Sequence, residues 1–196
     1  LPRGPQAELP PVARVAAPSP PRFINETMDV TQGKLAVGYR CTSDDYPAMV
    51  LANLIFGGTS NSKLFMNVRE KLSLCYYASS SYARSKNIIT VSSGVETGDR
   101  DRALEEIDRQ LKAVQRGDWE DWEQEGALQA IRSSLLSLSD SQGALENFYL
   151  GQIASGVHET PEELAVELEC VTKERIVAAA QTVHLDTVYF LGGREA

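Results

Sequence analysis

The sequence predicts an α+β fold: a largely antiparallel sheet with helices packed on one face. Three observations carry that reading. Alternating stretches appear near the start and again around residues 87–95; helical periodicity fills residues 99–183; and a short apolar run, T-V-Y-F-L at 187–191, closes the chain. Strands and helices therefore come in runs (β-β-α-α-β-β, about five helices, then β) rather than in strict alternation, the pattern of an α+β layer structure.

Residues 1–21 hold seven of the nine prolines, including Pro10, Pro11, Pro20 and Pro21. Proline removes a backbone donor and fixes φ, so this stretch is expected to be an extended linker or tail, and the folded domain to span 22–193. A first strand is expected over 22–31 and a stronger one over 34–41, where Leu35, Val37, Tyr39 and Cys41 share a face. Thr31, Gln32 and Gly33 between them make a plausible hairpin turn. A helix is expected from about 45 to 56, capped by Ser43 or Asp44, with Pro47 in its first turn and Gly57-Gly58 at its end. Ser60 or Asn61 can cap the next helix, with Leu64, Phe65, Val68 and Leu72 turned inward.

Residues 74–83 and 87–95 then read as a strand hairpin turning at Arg84, Ser85 and Lys86. Asp99 opens an amphipathic helix with Leu104, Ile107, Leu111 and Val114 on one stripe, and Gly117 breaks it. Asp118 is expected to cap a long, well-buried helix carrying Trp119 and Trp122. A helix over 141–155 should turn Leu145, Phe148, Tyr149 and Ile153 inward. Thr160-Pro-Glu-Glu combines a capping threonine, a first-turn proline and a reciprocal glutamate, and Thr172 starts the last helix. The closing strand belongs inside the sheet.

Composition narrows the function. The chain has 196 residues, 42% hydrophobic and 23% charged, enough for one core without disulfides or metal. A net charge of −8 and the lack of a Lys/Arg stripe argue against nucleic acid. No apolar run reaches the ~18 residues of a membrane span. Cys41, Cys75 and Cys170 are scattered and odd in number, which reads as buried free thiols, compatible with a reducing, cytoplasmic setting.

The chemistry is limited. His158 and His184 are isolated, and neither H-E-x-x-H nor H-x-x-E-H occurs, so no zinc site of that kind is expected. There is no G-x-S-x-G, and Cys75 has no histidine near it in sequence to lower its pKa. The acids between Glu120 and Glu125 read as a solvated helix face. Arg69 and Tyr76 remain. On spacing alone they are a snorkelling surface arginine and an ordinary strand tyrosine. The functional alternative is that guanidinium and phenol both donate to a carbonyl oxygen of an extended peptide, since both are good donors that act without losing a proton.

The run G-G-T-S-N-S-K-L-F-M-N-V-R-E-K-L-S-L-C-Y from Gly57 to Tyr76 resembles the insulinase-like (pitrilysin) zinc metallopeptidases, specifically the non-catalytic C-terminal half of bacterial members. The A-L-E-E-I, T-P-E-E, V-T-K-E-R-I-V-A-A-A and L-D-T-V-Y-F-L-G-G stretches extend the likeness over about 22–193. The resemblance implies a clamshell of two similar halves closing on an extended peptide. One half holds zinc through H-x-x-E-H; the other supplies an arginine and a tyrosine, here Arg69 and Tyr76, that contact substrate. It further implies that zinc belongs to a complementary N-terminal half or partner subunit and that this chain alone is inactive. Isolated copies can self-associate through the face that meets the other half. Since some family members have lost activity, a scaffold or peptide-binding module of the same fold is the alternative.

Overall fold

The computed structural model describes residues 15–193. Most of the expected linker, residues 1–14, lies outside the described residues; 15–21 form neither helix nor strand. Strands β1 (Arg22–Met28), β2 (Gly33–Arg40), β3 (Cys75–Ala83), β4 (Ile88–Val95) and β5 (His184–Gly193) form a five-stranded sheet in the order β1-β5-β2-β4-β3. Only the β1–β5 pair is parallel; the other three are antiparallel. The α+β class with a largely antiparallel sheet is therefore the observed one.

The expected hairpin between the first two strands does not form. β1 passes its neighbour and pairs with β5, Ile24 opposite Tyr189, so β5 sits between β1 and β2. The reason is burial. β5 carries Val188 and Phe190 into the core, whereas every residue of β1 is exposed, including Phe23 and Ile24. The more apolar strand takes the inner position, and β1 is left as an edge.

β2 alternates as expected: Leu35, Val37 and Tyr39 are buried against the helices, while Lys34 is exposed and Arg40 half-buried on the other face. Ile89, Val91 and Val95 of β4 extend the same core surface. α1 (Tyr46–Asn53) covers it with Ala48, Met49, Leu51 and Ala52. Its N-cap is Asp45, whose carboxylate accepts from the Ala48 N–H, rather than Ser43 or Asp44. Asp45 also takes a two-pronged bond from Arg175 at 2.8 and 2.9 Å, fixing α1 to α6 (Lys173–Ala180). α2 (Arg100–Arg116) buries Ala103, Ile107, Leu111 and Val114, and ends where Gly117 takes φ 78°. Each such apolar side chain is worth about 1.5–3 kcal/mol on burial.

Beyond this core two helices differ from expectation. α3 (Asp121–Leu136) is capped by Glu120, not Asp118, in a capping box with Glu123. It buries Ala127 and Leu135 but leaves Trp122 exposed, so it lies at the rim of the core; Trp119, just before it, is buried. In α4 (Gln142–Ala154), Leu145 and Phe148 are half-buried, but Tyr149 and Ile153 face solvent. Their helical spacing was right, but α4 packs lightly against its neighbours. α5 (Pro161–Glu169) has the expected Thr160–Glu163 capping box. Cys41 and Cys75 are buried, while Cys170, at the C-cap of α5, is exposed. No helix among the described residues is long and apolar enough to cross a membrane.

One carboxylate ties β5 to both of its neighbours. Asp186 of β5 is buried and accepts from Arg22 of β1 at 2.6 Å, from Arg40 of β2, and from the Thr187 hydroxyl. The Thr187 bond, then those from Arg22 and Arg40, outweigh burial and lower its pKa from 3.8 to about 2. A depressed carboxylate stabilises the fold above its unfolded value and loses that contribution as pH falls through its folded value. Asp186→Asn is expected to lower stability at neutral pH and to flatten the loss of stability between pH 3.8 and about 2, as read by urea titration at each pH. An unchanged pH slope would assign the acid sensitivity to other carboxylates.

Candidate functional site

The site is built by the segment between α1 and β3, which is wound more widely than an α-helix. α1 runs on into a π-helical turn, Leu54–Gly58, and a π-helix spans Leu64–Lys71. π-Turns of this kind mark positions where packing overrides the regular helix ladder. Gly57 shows why. A Cβ there would lie 2.6 Å from Leu64 Cδ1 and 2.9 Å from the backbone N of Ser80, so only glycine lets the turn press against β3. The helical run stops at Gly58, as expected, and Gly57 allows the close approach as well. Beneath it, the Ser80 hydroxyl donates to Asn53 Oδ1 at 2.8 Å, both residues buried.

The π-helix is held from two sides. Lys63, at its start, pairs with Glu123 of α3 at 3.1 Å, with side chains only 10% and 11% exposed. Glu123, expected on a solvated face, is thus an internal counter-ion. Asn67 donates to Gln110 Oε1 of α2, and Gln110 donates to Glu106 Oε1 at 2.6 Å. These partners fix the pitch and rotation of the π-helix and so aim Arg69. Leu64 and Val68 face the core as expected, Phe65 is half-buried, and Leu72 is exposed because the wider turn carries it past the buried side.

Arg69 lies late in the π-helix. Its guanidinium stacks on Phe65, 4.7 Å from the ring centroid, and its Nε lies 3.6 Å from Glu70. Ser73, with φ 50°, reverses the chain, and Leu74 N–H donates to Val68 O, setting the start of β3 beside the helix end. Tyr76 follows at a bulge: Cys75 pairs with Val95 and Tyr77 with Gly94, which leaves Tyr76 as the extra residue. A bulge re-aims one side chain, and here both Tyr76 and Tyr77 point outward while Cys75 and Ala78 point in. Arg69 and Tyr76 are thereby brought to one open pocket of about 480 Å³, lined also by Glu70, Ser73, Leu74, Cys75, Glu96 and Asp99.

Sequence reasoning missed Glu96. It follows β4, and the Tyr76 hydroxyl donates to its Oε1 at 3.1 Å. Only the antiparallel β3–β4 pairing brings residues 20 apart into contact, so no local motif announces it. That bond, with the carboxylate charge, raises the Tyr76 pKa and keeps the phenol a donor. Burial pushes the Cys75 thiol up, against the pull of Ser93 and Arg69, so it is a poor nucleophile at neutral pH. His158 and His184 are both exposed. Among the described residues no group of three or more His, Cys, Asp or Glu is placed to hold a metal ion. The residues present therefore do not fit a zinc site, and what they offer instead is a pair of fixed donors over an accessible hollow.

The sequence matches the family described as Peptidase M16 inactive domain over residues 1–131, and the chain belongs to that family. It is 40% identical over 179 residues to the "Probable inactive metalloprotease YmfF" of Bacillus subtilis (strain 168), covering 89% of this chain and 42% of that protein. It is 26% identical over 136 residues to the "Uncharacterized zinc protease YmxG" of the same organism, covering 68% of this chain and 33% of that one. A crystal structure of a conserved protein from Enterococcus faecalis V583 superposes with a TM-score of 0.84 at 31% identity, covering 92% of this chain and 44% of that chain. The chain thus spans less than half the length of these relatives.

Proposed function

We propose that this chain is the non-catalytic, substrate-binding half of a zinc-dependent peptidase, clamping an extended peptide for hydrolysis by a zinc-bearing half. The observation that carries the reading is the convergence of Arg69 and Tyr76, from a π-helix end and a β-bulge, on one open pocket. Arg69 gives a fixed cation with planar donors and Tyr76 a neutral donor; together they orient a peptide carbonyl and stabilise charge developing on its oxygen. Zinc, in the complementary half, supplies Lewis-acid activation of the hydrolysing water. Family membership supports the two-half arrangement, and YmxG, by its name a zinc protease, supports a zinc-bearing partner.

A second reading is a scaffold with the same fold, favoured by the name of YmfF, a probable inactive metalloprotease. The test is peptide hydrolysis by this chain alone and after addition of a zinc-bearing M16 half, with metal assayed in each. Hydrolysis in the mixture only, with zinc tracking the added half, is the expected result. Zinc and activity in the isolated chain would overturn the metal assignment. Tight association without hydrolysis would favour the scaffold.

A further inference from the structure

The charges lining the pocket are not balanced. Glu70 lies against Arg69, and Asp99 is bonded by Arg102 at 2.7 Å. Glu96 has only the Tyr76 hydroxyl as a side-chain partner among the described residues. It is exposed, just after β4, and opens onto the same hollow.

That single bond matters because a phenol has one proton. While Tyr76 donates it to Glu96, Tyr76 can offer an incoming carbonyl only a lone pair, which repels it. For the phenol to hold a peptide carbonyl, its bond to Glu96 must be given up. Releasing an exposed carboxylate to water is tolerable, but replacing the phenol with a cation is better, because an ionised acceptor bonds most strongly to a charged donor. Among the described residues Arg69 makes no ion pair with Glu96: its guanidinium lies beside Glu70, and on the reading above its donors are turned to the peptide carbonyl. A cation that improves on water therefore comes with the ligand.

We infer that Glu96 is a specificity-determining residue that selects peptides carrying a basic group, a lysine or arginine side chain or a free N-terminal ammonium, next to the carbonyl held by Tyr76. The basic group takes Glu96, and the Tyr76 hydroxyl turns its hydrogen bond from the carboxylate to the peptide carbonyl. No bond to a heavy atom is made or broken; the proton stays on Tyr76 throughout. The inference rests on the peptide-holding role of Arg69 and Tyr76.

The test uses the 196-residue chain and two fluorescein-labelled decapeptides of alanine, serine and threonine. One carries a central lysine and the other N-acetyl-lysine at the same place; both have acetylated N-termini. Binding is read by anisotropy at low salt. The wild-type chain is expected to favour the lysine peptide about fivefold, the size of one exposed ion pair. Glu96→Gln should abolish the preference by two routes: the lysine peptide weakens, and the acetylated peptide tightens because a neutral amide oxygen holds the Tyr76 hydroxyl less strongly than a carboxylate does. A simple ion pair would not produce the second effect. Tyr76→Phe should weaken both peptides. If wild type binds the two equally while Tyr76→Phe weakens both, the role of Glu96 is overturned and the peptide-holding reading stands. If Glu96→Gln weakens the lysine peptide but leaves the acetylated one unchanged, the turn of the Tyr76 hydrogen bond is overturned. If neither peptide binds, or Tyr76→Phe changes nothing, both readings fall.

Discussion

Glu123→Gln lowers the unfolding free energy by about 3–5 kcal/mol, a large share of the roughly 5–15 kcal/mol that holds a domain of this kind together. The size follows from what is left behind. Lys63 and Glu123 have side chains only 10% and 11% exposed, so removing the carboxylate strands an ammonium with little water to take its place. Glutamine keeps an oxygen for the Glu120 N–H, so the helix cap survives and the loss reports on the charge. Lys63→Met should be costly in the same way, by stranding Glu123. The double variant Lys63→Met/Glu123→Gln should recover much of the loss, because a neutral pair needs no counter-ion. Urea unfolding followed by circular dichroism gives all four corners of the cycle. Additive losses would mean that the two side chains are each solvated and do not depend on one another. Since the pair fixes the start of the π-helix, the single variants should also loosen Arg69.

If the proposed reading holds, turnover of the assembled peptidase is expected to fall about a hundredfold on Arg69→Ala or Tyr76→Phe, with little change in melting temperature. A loss of that order is typical when one donor to a developing oxyanion is removed. The stability side follows from exposure. Tyr76 is 64% exposed and the Arg69 side chain 41%, so neither packs a core; Arg69 loses only its stacking on Phe65. A fall in kcat with KM unchanged would place the contacts in the transition state, and a rise in KM alone would place them in ground-state binding. If both variants unfold the chain while the folded fraction keeps its specific activity, the two residues are structural. If neither variant alters association with the zinc-bearing half or hydrolysis, the scaffold reading gains.

Local signals in this chain were reliable where one residue decides one geometry. The Thr160 capping box, the proline in the first turn of α1 and the break at Gly117 are set by neighbours within four residues, and all formed. The alternation in β2 was equally legible, because a strand buried on one face must repeat every second residue. Failures came where an element's surroundings decide. Trp122, Tyr149 and Ile153 have helical spacing that fits an inward face, but α3 and α4 lie at the rim, and those side chains stay 40–52% exposed. A gap of four residues, 29–32, between β1 and β2 fits a hairpin, yet β5, some 160 residues on, outcompetes β2 for that edge.

By itself, then, the sequence determined the class of fold and the lack of a histidine-based zinc motif, and it nominated the two donors of the proposed site, Arg69 and Tyr76, through their place in a recognisable run. Tertiary structure decided the rest of the pocket. The bulge that turns Tyr76 outward, the π-winding that aims Arg69, and the arrival of Glu96 at the phenol depend on β3 pairing with β4 and on Gly57 pressing against β3. Periodicity records which face of an element is apolar. It holds no information on which distant backbone will lie alongside, and that pairing is what gives the pocket its charge.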